Sequence, residues 1–126
     1  MKKEILILIV EDEPLNSELL EVLLKRKKMS YLLAVDGVEA MEMFEKHPEI
    51  DLVLLDIKLP NLNGEEVLVR MKTLRPDIPI VVQTAYVFDE DRKRFFDIGG
   101  DDYISKPLNK ELFYEILSRW LKIEIK

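Results

Sequence analysis

Five short apolar runs divide the chain, and the segments between them carry apolar residues at helical spacing. Ile5–Val10 (ILILIV), Tyr31–Val35, Asp51–Leu55, Pro79–Gln83 and the pair Tyr103-Ile104 predict strands. Strands that are apolar throughout, rather than alternating, are covered on both faces, as in a parallel sheet. Pro14 suits the first turn of a helix whose inward stripe is Leu15, Leu19, Val22 and Leu23. Asp36 and Glu39 bracket a second helix start as a capping box, with Val38, Met41 and Phe44 on its apolar face; His47-Pro48 ends it. Gly64, after a loop containing Pro60 and Asn61, opens a third helix with Val67, Leu68, Met71 and Leu74 inward. The fourth, Asp89–Ile98, begins with six charged residues and has only Phe88, Phe95, Phe96 and Ile98 to bury, before Gly99-Gly100 closes it. Asn109 caps a fifth, with Leu112, Phe113, Ile116, Leu117, Trp120 and Leu121 as its core stripe. The tail Lys122–Lys126 is a frayed helix end or the start of a linker.

Strands alternating with helices imply a parallel sheet with right-handed crossovers. The expected fold class is α/β: a flavodoxin-like (βα)5 three-layer sandwich whose five-stranded parallel sheet has the order 2-1-3-4-5. That order makes the first and third strands neighbours at the switch point, where ligands bind. Glu11 and Asp12 directly follow the first strand and Asp56 directly follows the third, so all three share one crevice. Clustered carboxylates repel one another unless a cation fills the space or one group becomes modified. Hard oxygen ligands of this kind suit magnesium, which binds through one or two carboxylates and phosphoryl oxygens. Thr84 ends the fourth strand and Lys106 follows the fifth, bringing a hydroxyl and an ammonium to the same edge. Such groups serve the remaining oxygens of a transferred phosphoryl group, with Asp56 as the carboxylate nucleophile that becomes an acyl phosphate. Each residue alone has an ordinary explanation. An Asp after a strand is commonly a cap or turn residue, and acids ahead of Pro14 favour a helix start. Their joint placement at four strand ends is what points to a site.

Composition narrows the classes further. The 126 residues make one domain, 48% hydrophobic and 35% charged. A formal charge of −6 argues against nucleic acid as this domain's partner. The basic run Lys25–Lys28 lies at a helix end, where it complements the dipole. No stretch approaches a membrane span, and the N-terminal apolar run lacks a cleavage site and ends in acids, so it is a strand and not a signal peptide. The absence of cysteine fits a cytoplasmic protein. His47, beside a proline at a helix end, is expected to be a solvated surface residue.

Val10-Glu11-Asp12-Glu13, Leu54-Leu55-Asp56 with Pro60 and Gly64, Thr84-Ala85 and Tyr103-Ile104-Ser105-Lys106-Pro107 together resemble a two-component response-regulator receiver domain of the CheY-like superfamily. The resemblance covers essentially the whole chain, and implies that residues 1–126 form one receiver domain with no output domain in this chain. It implies magnesium-dependent transfer of a phosphoryl group from a phosphohistidine to Asp56. The donor would be a sensor histidine kinase or histidine phosphotransfer protein, and the chain a phosphoacceptor and not an enzyme. Asp12 and Asp56 would bind the metal, Glu11 through water, and the backbone carbonyl of Lys58 would be a further ligand. Lys106 would pair with the phosphoryl group, Thr84 would move toward it, and Tyr103 would then turn inward as an aromatic switch. The Lys106-Pro107 bond would be cis. Glu11 replaces the more frequent Asp at its position. Lys58 and Tyr86 would flank the phosphoryl group and shield it from water. A downstream protein target is expected on the face made by the fourth helix, fifth strand and fifth helix. Alternatives are a receiver cut from a hybrid histidine kinase or longer regulator, and a magnesium-dependent aspartyl-phosphate phosphatase. The phosphatase pattern needs an acid where Lys58 stands. A flavin-binding module needs a hydroxyl- or glycine-rich loop after the first strand, where this chain has three acids.

Overall fold

A computed structural model describes residues 4–58, 63–85 and 89–125. Pro60, Asn61, Tyr86 and Phe88 lie outside the described residues. Strands β1 (Leu6–Val10), β2 (Ser30–Ala34), β3 (Leu52–Asp56), β4 (Ile80–Thr84) and β5 (Asp102–Ser105) alternate with helices α1 (Pro14–Arg26), α2 (Gly37–Lys46), α3 (Gly64–Leu74), α4 (Asp89–Asp97) and α5 (Lys110–Leu121). The five strands form one parallel sheet in the order β2-β1-β3-β4-β5, the expected flavodoxin-like arrangement.

Side-chain alternation splits each strand between two cores. Leu8, Val10, Val53, Leu55 and Val82 pack with Phe44, Val67, Leu68, Met71 and Phe95 on the side of α2, α3 and α4. Ile7, Ile9, Leu52, Leu54, Val81 and Ile104 pack with Leu20, Leu23, Leu24, Phe113, Ile116 and Leu117 on the side of α1 and α5. Both faces of the central strands are therefore covered, which is why their sequences do not alternate in polarity.

Local signals set the helix starts. Asp36 Oδ1 accepts from Glu39 N at 2.8 Å, and Glu39 Oε1 accepts from Val35 N at 3.1 Å, a capping box whose return bond falls one residue early. Asn63 and Asn109 cap α3 and α5 by accepting from Glu65 N and Leu112 N. Gly64 is required by contact: a Cβ there would lie 2.4 Å from the Ile57 carbonyl oxygen.

The inward face of α1 differs from expectation. Leu15, Leu19 and Val22 are exposed, at 75%, 42% and 44%, and the buried residues are Ser17, Leu20, Leu23 and Leu24. Val38, Leu74, Phe96 and Leu112 are also exposed where core was expected. Val38, Leu74 and Leu112 stand in the first or last turns of their helices, where fewer neighbours close over a side chain. Phe96 follows fully buried Phe95 in α4, and one step of about 100° round the helix takes it to the exposed side. The tail folds back: Ile123 and Ile125 pack against the α1–α5 core after Lys122 turns the chain in a left-handed conformation. Asp56 is the last residue of β3 instead of the residue after it. Among the described residues, no helix is long and apolar enough to cross a membrane.

Candidate functional site

The C-terminal ends of β1, β3, β4 and β5 meet at one edge, and backbone bonds carry the sheet to its last residues. Glu11 N donates to Ala34 O at 3.0 Å, Ile57 N to Gln83 O at 3.2 Å, and Lys106 N to Thr84 O at 2.9 Å. Lys106 Nζ spans the edge and donates to Glu11 Oε1 at 3.0 Å and Asp56 Oδ2 at 2.9 Å. The Glu11 side chain is completely buried and that of Asp56 nearly so, while Lys106 retains 22% exposure. Two backbone amides complete the cradle: Glu13 N donates to Glu11 Oε2 at 3.1 Å, and Lys58 N to Asp56 Oδ1 at 2.9 Å. Asp12 is exposed, yet carboxylate oxygens of Glu11, Asp12 and Asp56 converge within 4.8 Å of one another.

Electrostatics follow from that crowding. Burial, reinforced by a hydrogen bond and charge repulsion from Asp56, pushes the Glu11 carboxyl up to about 7, against the opposing pull of Glu13 N and Lys106. Burial also works against the Lys106 ammonium, but hydrogen bonds and charges from Asp56 and Glu11 outweigh it and hold its pKa above the ordinary range. One ammonium thus serves two buried acids. The three-carboxylate donor set is hard and oxygen-only, and it carries more negative charge than Lys106 offsets, so it fits a divalent cation.

Thr84 lies beside this cluster, 2% exposed, at the end of β4. The Tyr103 ring is already inward, 9% exposed, stacked on Phe95 at 6.3 Å, with the Arg92 guanidinium 4.7 Å from its centroid. Its hydroxyl has no hydrogen-bond partner among the described residues, and burial raises its pKa against the pull of Arg92. The Lys106-Pro107 peptide is cis. Lys58 is exposed at the rim, and Tyr86 is outside the described residues. The His47 ring lies at the surface, with Nδ1 3.5 Å from a carboxylate oxygen of neighbouring Glu49. Gln83, a lone amide in a run of β-branched residues, is buried in β4 at 3% exposure.

Residues 7–118 match the family model of the response regulator receiver domain. The chain belongs to that family. As a receiver, it is a phosphorelay and two-component signalling module. It is 32% identical over 120 residues to a hybrid signal transduction histidine kinase of Dictyostelium discoideum, covering 89% of the receiver and 7% of that protein. The receiver spans under half the length of the first curated relatives it matches, 7%, 42% and 44% of them. Among solved structures, it superposes with a TM-score of 0.86 and 30% identity on the receiver domain of a Pseudomonas aeruginosa PAO1 sensor histidine kinase. That structure has a magnesium ion coordinated in its active site cleft, and the match covers 95% of this chain and 99% of that one. It also matches the receiver domain of the response regulator Ssk1 of Saccharomyces cerevisiae, co-crystallised with the histidine phosphotransfer protein Ypd1. There the TM-score is 0.87 and the identity 27%, covering 95% of this chain and 90% of that one.

Proposed function

We propose that Asp56 is the residue that receives the phosphoryl group, from a partner protein's phosphohistidine. The observation that carries this is the Lys106 ammonium bridging Asp56 and Glu11 at 2.9 and 3.0 Å, a preset cation beside a buried carboxylate. An Asp56 oxygen attacks phosphorus while the bond from phosphorus to the donor imidazole breaks, its electron pair returning to that nitrogen. The product is an acyl phosphate on Asp56. Asp12 and Asp56 would hold magnesium through their carboxylates, with Glu11 through water and Lys58 through its backbone carbonyl. Bound there, the metal supplies neutralisation of charge on the phosphoryl oxygens. Lys106 turns from Asp56 to one phosphoryl oxygen, and the Thr84 hydroxyl moves to another. The magnesium found in the Pseudomonas receiver supports the metal assignment. The group remains on the chain until water removes it, so the receiver is a phosphoacceptor that assists its own modification. Lys58 and Tyr86 flank the phosphoryl group and slow that water.

The donor is a sensor histidine kinase or a histidine phosphotransfer protein, as the yeast complex suggests by likeness. It docks over the crevice and the start of α1, where exposed Leu15 and Leu19 offer apolar area. Thr84 movement reaches Tyr103 and Arg92, and so the face made by α4, β5 and α5, which engages a downstream protein. This operates in the cytoplasm.

Intact mass after incubation with acetyl phosphate, with and without magnesium, tests the acceptor. The expected result is a single magnesium-dependent phosphoryl adduct, absent from Asp56→Asn and shorter-lived in Lys58→Ala and Tyr86→Ala. An adduct that persists in Asp56→Asn, or none on folded wild type, overturns the assignment.

A further inference from the structure

Gln83 is the only glutamine in the chain, and it interrupts an aliphatic strand, following Ile80-Val81-Val82. It is 3% exposed, and its Nε2 has no hydrogen-bond partner among the described residues. A buried amide donor without a partner costs stability that an aliphatic side chain there would not. Such a group calls for a physical reason.

The sheet register supplies one. Gln83 pairs with Asp56 on β3 and with Ile104 on β5. Alternation puts Glu11, Asp56 and Gln83 on the face that carries Ile9, Leu54 and Val81, so the three form a row across adjacent strands. Lys106 enters from β5, yet its Nζ reaches strands two and three places away in the order β2-β1-β3-β4-β5. Its methylene stem therefore crosses β4, where the residue in that row is Gln83. Of the Asp56 oxygens, Oδ1 accepts from Lys58 N and Oδ2 from Lys106 Nζ. When the ammonium leaves, Oδ2 loses that donor in a place where little solvent can replace it, and Gln83, paired with Asp56 across β3 and β4, carries an amide donor on the same face.

We propose, on the reading that Asp56 accepts a phosphoryl group, that Gln83 is a positioning residue for the transfer. Its amide, idle in the resting site, donates to the Asp56 carboxyl group as Lys106 turns to the phosphoryl group. The donor without a partner among the described residues is then one whose partner appears during transfer. It keeps the carboxyl group from rotating while the ammonium changes partners.

The test is Gln83→Met, which keeps length and loses the donor, with Gln83→Val as a second variant of the strand's own residue type. Phosphoryl uptake from acetyl phosphate is followed by intact mass, beside melting temperature with and without magnesium. The expected result is a higher melting temperature in the resting state and an unchanged magnesium-dependent rise. Maximal uptake should be about tenfold slower, the weight of one such hydrogen bond, at the same half-saturating acetyl phosphate. A purely structural role predicts no such slowing in a better-folded variant. Uptake within twofold of wild type overturns the proposal, as does a lower melting temperature in both variants, which would show the amide already paired. Failure of wild type itself to take up phosphoryl groups overturns the Asp56 reading instead, so the two failures are distinguishable.

Discussion

Glu11 is held in the folded protein at a pKa of about 7 against an ordinary 4.5, chiefly by burial. Between those values the folded state binds more protons than the unfolded chain. Its contribution is therefore fully present below about 4.5 and is lost as pH rises through about 7. In chelator, melts of the wild type should show stability falling across that window, by on the order of 3 kcal/mol. Glu11→Gln should flatten the slope and be the more stable protein at pH 8; parallel curves for the two proteins would refute this. At this scale the acids and Lys106 were legible because a parallel sheet brings all its strand ends to one edge. The state of Tyr103 was not, since its inward position depends on Phe95 and Arg92 from helix α4. Nor was Gln83, because its significance lies in the register of β4 against β3 and in which atoms are left unpaired.

Among the elements, α1 shows where periodicity stops being informative. Apolar residues stand at 15, 19, 20, 22, 23 and 24, nearly all round the helix, so two stripes fit the spacing equally well. The structure buries Leu20, Leu23 and Leu24 with Ser17, and turns Leu15, Leu19 and Val22 outward. Denaturant unfolding should separate the faces: Leu20→Ala should cost about 2–5 kcal/mol, and Leu19→Ala within about 0.5 kcal/mol of nothing. Equal losses would mean that the outer stripe is covered in solution. The strands were easier, because runs lacking alternation have one architecture that suits them. Their boundaries moved by only a residue or two, as when Asp56 joined β3. Helix α4 is the element with least to bury, and its one fully buried aromatic, Phe95, is the one that stacks on Tyr103. In the proposed mechanism Tyr103 is the switch, and an element attached through it follows it at low cost.

For the molecule as a whole, the two cores are sealed on opposite faces of one sheet, and the crevice is the place where like charges are forced together. A cation that binds the folded crevice and not the unfolded chain must raise stability, by about 2.7 kcal/mol at a hundred times its Kd. Calorimetry should show magnesium raising the melting temperature of the wild type. Asp12→Ala should be more stable than wild type without the metal and indifferent to it; a full magnesium response in that variant would remove Asp12 from the ligand set. The strand order was legible because few topologies connect five alternating strands and helices without left-handed crossovers. At the far end of the sheet, Trp120 donates its indole N–H to Asp102 at 2.7 Å, and Asp102 begins the strand Asp102–Ser105 that runs directly into Lys106. The chain's only tryptophan is thereby fastened to one end of β5 and the site's ammonium to the other. Indole fluorescence from this protein is thus a built-in optical gauge: it reports not whether the crevice is filled, but whether what happens there is felt four residues down the strand.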